Sequence, residues 1–194
     1  MQSSRFIMEQ NALLKKNLWN IAGIAGLALG AISAAYMFAE QVIAGNLEQP
    51  SMLKQLIAYA LWGIKFVGCI MVMKFFMKKF ASENKEADNR MTFRMGMAAA
   101  FLSALLFSAV SFANMAYFST DYFEMVYETL YQQMQPMMDS NTASVFSQVV
   151  DIAPQLSFFY NLVYCFLFGT VLSAVLSRNI PSRDPFADYK PDEQ

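Results

Sequence analysis

Histidine does not occur anywhere in these 194 residues, which removes the commonest metal ligand and the commonest general acid–base side chain together. Charge is scarce as well, at 15% of residues, with a formal net charge of −1. No basic stripe interleaved with aromatics is present, so nucleic-acid binding has no electrostatic footprint here. Cysteine is limited to Cys69 and Cys165, each inside an apolar run and in no CxxC or Cys/His spacing. Such cysteines read as small core residues rather than as a disulfide or a metal site. No cofactor is expected, and no nucleophile–base pair marks the chain as an enzyme.

What remains is apolar. At 56% hydrophobic and 15% aromatic residues, the composition is too oily for an ordinary soluble domain. Four apolar runs stand out, at about 18–39, 55–77, 95–118 and 154–177. Each approaches the ~20 residues that a helix needs to cross ~30 Å of hydrocarbon. Lipid offers backbone groups no water, so runs of this kind are expected to be helical. A Ser33-Ala34-Ala35 stretch imitates a signal-peptidase site, but the apolar core around it exceeds the ~7–15 residues of a signal sequence. The first run is therefore expected to remain as a span.

The bases are unevenly placed. Arg5, Lys15 and Lys16 precede the first run, Lys78, Lys79, Lys85, Arg90 and Arg94 fill the link after the second, and Arg178, Arg183 and Lys190 follow the fourth. The other two links hold Lys54 alone against Glu40, Glu48, Asp121, Glu124, Glu128, Asp139 and Asp151. The positive-inside rule then puts both termini in the cytoplasm. The expected fold is an all-α integral membrane protein, a four-transmembrane-helix bundle with N-in/C-in topology and an amphipathic extracytoplasmic helical segment between the third and fourth spans. In domain terms, 1–17 is a cytoplasmic segment, 18–177 the membrane domain with its outer segment at 119–153, and 178–194 a mobile cytoplasmic tail.

Three spans carry small residues at every fourth position. They are Ala22, Gly26, Gly30 and Ala34 in the first; Gly96, Ala100, Ala104 and Ser108 in the third; and Asn161, Cys165, Gly169, Ser173 and Ser177 in the fourth. Residues four apart share a helix face, and small side chains there let helices approach closely in lipid. Two uses compete: a tight bundle within the chain, or docking of a second copy or another membrane protein.

The second span lacks such a ladder and carries Lys65 near mid-depth. An ionisable group there costs roughly 3 kcal/mol on insertion scales and marks a functional position by default. No carboxylate lies at matching depth, and the polar groups expected nearest are Asn161, Tyr164, Tyr36 and Asn114. Three readings of Lys65 stand side by side: capping by these amide and phenol groups, pairing with a carboxylate of another subunit, or lining a polar pathway.

The segment between the third and fourth spans is too long for a bare loop. Phe123, Val126, Tyr127, Leu130, Tyr131 and Met134 form one stripe and Asp121, Glu124 and Glu128 another, which is the period of a surface helix. Pro136 is expected to end or kink it, and Asn141 to cap a second short helix. This segment reads as a lid at the headgroup level or as a docking surface. The three acids match no cation-binding loop and read as solvated charge.

The run Met91-Thr92-Phe93-Arg94-Met95-Gly96, the small-residue helix that it opens, Tyr122-Phe123 with its Glu/Gln/Met-rich continuation, and the closing Ser177-Arg178-Asn179 together resemble the four-span DUF4199 proteins of Bacteroidota. Arg94 stands where that family carries a small residue. The resemblance implies the inner membrane of a Gram-negative bacterium and transfers no functional residue.

The leading expectation is a non-enzymatic membrane subunit or scaffold whose partners are the lipid bilayer and a second copy or another membrane protein. The alternative is a small oligomeric transporter or channel that uses Lys65, Asn161 and Tyr164 as pathway residues. An embedded enzyme would have to rely on the acidic outer cluster.

Overall fold

The computed structural model describes residues 2–46, 52–84 and 87–180. Every element among them is helical: α1 (Gln2–Asn46), α2 (Met52–Glu83), α3 (Asn89–Ala113), a π-helical turn (Asn114–Phe118), α4 (Thr120–Met134), a 3-10 turn (Gln135–Met137), α5 (Ser140–Asp151) and α6 (Ala153–Asn179). Four helical stretches are long and apolar enough to cross a membrane: Ala12–Ile43, Gln55–Glu83, Asn89–Phe118 and Ala153–Arg178. They overrun the expected apolar runs because good helix formers continue beyond the oily residues. α1 in particular begins at Gln2, so most of the expected N-terminal segment is continuous with the first long helix. The expected tail lies, from residue 181 onward, outside the described residues.

Side-chain caps explain where α3 and α5 start. Asp88 has extended backbone angles and its carboxylate accepts the Met91 N–H at 2.6 Å, which opens α3. At α5 the cap is Asp139 rather than the expected Asn141. Asp139 has the extended backbone (φ −84°, ψ 172°) and accepts the Thr142 N–H at 2.8 Å, whereas Asn141 already lies inside the helix. A carboxylate at this position also meets the positive end of the helix dipole. Pro136 sits inside the 3-10 turn that follows α4, as a residue without an N–H should.

Hydrogen bonds from Thr142, through its hydroxyl and its backbone N–H, hold the Asp139 carboxyl below the usual carboxylate range. Since the folded-state value is the lower one, the cap contributes fully above the ordinary range and is lost as pH falls through the lowered value. Acidification is therefore expected to fray the start of α5 ahead of the long helices. Amide exchange at Thr142 reads this directly. Asp139→Asn, a cap that does not titrate, should flatten the pH response; an identical response in both proteins would remove the cap from the account.

α3 is the central helix, with α1 and α6 packed against its two sides. Half of the apolar window of α3 is buried (50%), against 6% for α2, and that contrast makes α2 the outlying helix. The small-residue ladders explain the order. A Cβ at Gly26 would stand 2.7 Å from Leu102 Cβ, and one at Gly169 only 2.6 Å from Ala100 Cβ. Gly30 likewise abuts Leu106, and Gly96 faces the Ser173 side chain and Met77. All four contacts lie within the chain, whereas Gly63 and Gly68 of α2 face open space.

Core packing is lopsided along the helix axes. Met73, Met77 and Phe80 of α2 are buried with Met95, Ala99 and Ala100 of α3 and Leu176 of α6, at the end that carries Lys78, Lys79, Arg90 and Arg178. Ser173 donates to the Phe93 carbonyl (3.0 Å) and Asn17 to Asn84 (3.0 Å), tying helices together at this basic end. Among the described side chains, α2 buries nothing before Met73 and α6 nothing before Ser173. Toward the other, acidic end α2 therefore stands loosely against the bundle, whereas α6 stays on α3 through Gly169 and Ala100 and through the Asn161 hydrogen bond to Ser111.

Candidate functional site

That loosening leaves a cavity of about 160 Å³ between α1, α2, α3 and α6. Met73 of α2, Leu172 of α6, Ser33 of α1 and Ser103 of α3 are among its lining residues. α2 contributes Trp62, Lys65, Phe66 and Cys69, which stand at i, i+3, i+4 and i+7 on a single helix face. α6 contributes Tyr164, Cys165, Phe168 and Gly169. The lining is chiefly aromatic and aliphatic, with one formal charge.

That charge is Lys65. Its Nζ lies over the Tyr36 ring, 4.5 Å from the centroid, and 5.3 Å from the centroid of Phe107. Stacking over rings stabilises a desolvated cation by up to ~2 kcal/mol. Yet an ammonium has three N–H donors, and among the described residues none finds an oxygen acceptor or a carboxylate. The one ion pair among those residues is Lys79–Glu83, a surface pair one helical turn apart. Lys65 is thus electrostatically cushioned and incompletely hydrogen-bonded.

The sequence-selected polar residues fall into three places. Tyr36 and Tyr164 are at the Lys65 cavity, the first through its ring face and the second in the wall. Asn161 is elsewhere: its amide donates to Ser111 (3.1 Å) and Ser157 (3.2 Å), forming a polar clasp between α3 and α6. Asn114 opens the π-helical turn and is fully buried at 0% exposure. It donates to Gln41 of α1 (3.1 Å), while its own side-chain oxygen accepts from Ser119 (2.9 Å). The packing residues Gly26, Gly30, Gly96, Ala100, Gly169 and Ser173 all lie in the helix contacts described above.

Several lining residues were not singled out by sequence. Trp62 shares the Lys65 face of α2 at i−3, a spacing visible in the sequence, as does Cys69, the neighbour of Lys65 one turn on. Phe107, Phe168 and Ser103 belong to other helices, and only the packing brings their faces to the lysine. The π-helical turn also left no sequence signal, since it contains neither Gly nor Pro; such turns recur at functional sites.

At the acidic end, α4 and α5 bury no residue. The Tyr131 and Phe146 rings meet at 5.7 Å between them, and Tyr127 donates to the Met115 sulfur at 3.7 Å. Burial raises the Tyr127 phenol above its ordinary value. Asp121, Glu124 and Glu128 are exposed, and no metal-holding cluster of His, Cys, Asp or Glu occurs among the described residues. Chemically the arrangement offers an apolar cavity with one positive charge, Lys65, in its lining.

No curated protein and no solved structure matches the chain significantly. A family model does, described as protein of unknown function (DUF4199), over residues 25–178. That span takes in the second half of α1, the π-helical turn, both short helices and the cavity, so the chain belongs to the DUF4199 family.

Proposed function

We propose that this is a multi-pass protein of the inner (cytoplasmic) membrane and that it works there as a non-enzymatic structural or interaction subunit. Both termini and the 78–94 link lie in the cytoplasm in this reading, and α4 and α5 lie on the far face. The four long apolar helices and the gathering of Lys78, Lys79, Arg90, Arg94 and Arg178 at one end of the bundle support that placement. The observation that carries the subunit reading is the sparse packing of α2, 6% buried over its apolar window. Helices associate in lipid through close van der Waals contact and interhelical hydrogen bonds, and α2 makes few of either within its own chain. The partner is a second copy or another membrane protein.

Mild solubilisation followed by native mass spectrometry tests this. Assemblies heavier than the 21.9 kDa chain by at least one further polypeptide are expected, and uniform recovery of solitary chains would sink the subunit reading. Orientation has its own measurement. An impermeant thiol reagent applied to intact spheroplasts should label a cysteine introduced at Glu128 and spare one at Lys79; the reverse pattern would invert the topology.

A second reading, a small oligomeric transporter or channel that uses Lys65 and Asn161, draws support from the cavity beside Lys65. The Asn161 amide is held in the Ser111–Ser157 clasp, so the pathway would run by Lys65 and Tyr164. Reconstituted flux that does not respond to Lys65→Met would eliminate it.

A further inference from the structure

We propose that the Lys65 cavity binds the carboxylate end of a membrane-dissolved amphiphile of the fatty-acid type, which enters sideways between α2 and α6. The inference goes beyond the subunit reading and rests only on the membrane placement above.

Charge comes first. Lys65 is half-buried, its ammonium is covered by two ring faces, and no carboxylate of the chain's described residues reaches it. A ring face attracts the cation but cannot replace the oxygen acceptors that its N–H groups lose on leaving water. An anionic oxygen acceptor supplies what is missing, through a charge-assisted hydrogen bond. The Ser103 hydroxyl, also in the lining, offers a donor for a second oxygen, and a carboxylate has two.

Size and lining narrow the ligand. A cavity near 150 Å³ holds a group about as large as a benzene ring, so 160 Å³ accommodates a carboxylate with its first few carbons. A phosphodiester head with its glycerol and two ester groups is too large for that volume. The aromatic and aliphatic lining disfavours a hydrated inorganic anion and suits a hydrocarbon stem.

Access follows from the lopsided packing. Neither α2 before Met73 nor α6 before Ser173 buries a described side chain. The Phe66 and Phe168 rings meet across the seam between these helices, 5.7 Å apart, and Trp62 and Tyr164 beside them are both more than half exposed. Ring contact alone bridges this seam, so the ligand's chain can remain in hydrocarbon between α2 and α6 while its head reaches Lys65.

The full chain in lipid nanodiscs, exposed to a fatty acid with a photoreactive diazirine near its carboxyl, provides the test. Saturable labelling is expected on peptides covering 62–73 and 164–172, competed by oleate and not by oleyl alcohol. Lys65→Met should weaken competition by oleate roughly ten- to hundredfold, the range implied by loss of one charge-assisted hydrogen bond, while Lys65→Arg keeps most of it. The wild-type alcohol control needs no variant to fold. Labelling spread over all exposed helix faces, equal competition by oleyl alcohol, competition by an anionic phospholipid in place of oleate, or saturation that survives Lys65→Met would each overturn the assignment. Recovery of the chain from cells without detergent would instead refute the membrane placement, so the two failures are distinguishable.

Discussion

Gly96→Leu is expected to prevent the bundle from closing. A β-carbon at position 96 would run into the Ser173 hydroxyl and would stand 2.9 Å from Ser173 Cβ and 3.2 Å from Met77 Sδ. Three helices meet there. Met77 is fully buried, and Ser173 is held by its bond to the Phe93 carbonyl, so neither side chain has room to retreat. Overpacking of this kind typically costs about 1–3 kcal/mol and occasionally more. Gly96→Ala should fall within that range, and the leucine should exceed it. Gly63→Ala is the matched control, because nothing lies within 4 Å of its β-carbon position; on an exposed helix it should be neutral or slightly stabilising. Thermal melting of the three variants in one detergent reads the order directly. Equal melting temperatures for Gly96→Ala and Gly63→Ala would mean that α3 and α6 do not pack as described.

Removal of the Asn114 side chain should cost about 2–4 kcal/mol, from lost packing and from polar groups left without partners. Asn114 is the buried link between the π-helical turn, Gln41 and Ser119. The Gln41 nitrogen already lacks a partner, so Asn114→Ala would leave both ends of that amide unsatisfied. The backbone bond from the Ser119 N–H to the Asn114 carbonyl (2.8 Å), which closes the π-helical turn, is present in both Asn114→Ala and Asn114→Leu. Asn114→Leu separates the two contributions. It restores volume but not hydrogen bonding, so it should be about as damaging as alanine. Wild-type stability in the leucine variant would reduce Asn114 to a space-filling residue.

Both predictions concern positions whose residue type was conspicuous in the sequence while their neighbours were not. The fourfold spacing of Gly26, Gly30, Gly96 and Gly169 marked faces built for close approach. It could not say whether those faces would meet each other, because spacing along one helix carries no information about which helix lies opposite. Packing joined Gly26 and Gly30 to Leu102 and Leu106, and Gly169 to Ala100. Lys65 was conspicuous for the same kind of local reason, a charge within an apolar run. Its surroundings were less accessible. Asn161 and Asn114 were reasonable partners by depth along the helices, yet helix rotation turned both toward other hydrogen bonds and left aromatic rings at the ammonium.

The sequence by itself determined the four long apolar helices, the two short amphipathic ones and the segregation of bases, because hydropathy, periodicity and charge placement are local properties of a chain. Its family membership was also readable in the run from Met91 to Gly96 and the elements that follow. Only the tertiary structure decided that α3 would be the centre, that α2 would close tightly at the basic end and stand off toward the acidic one, and that a cavity would open beside Lys65. Those outcomes depend on how side chains of distant segments interlock in three dimensions, and small residues such as Gly96 and Ser173 set that fit by the atoms they lack.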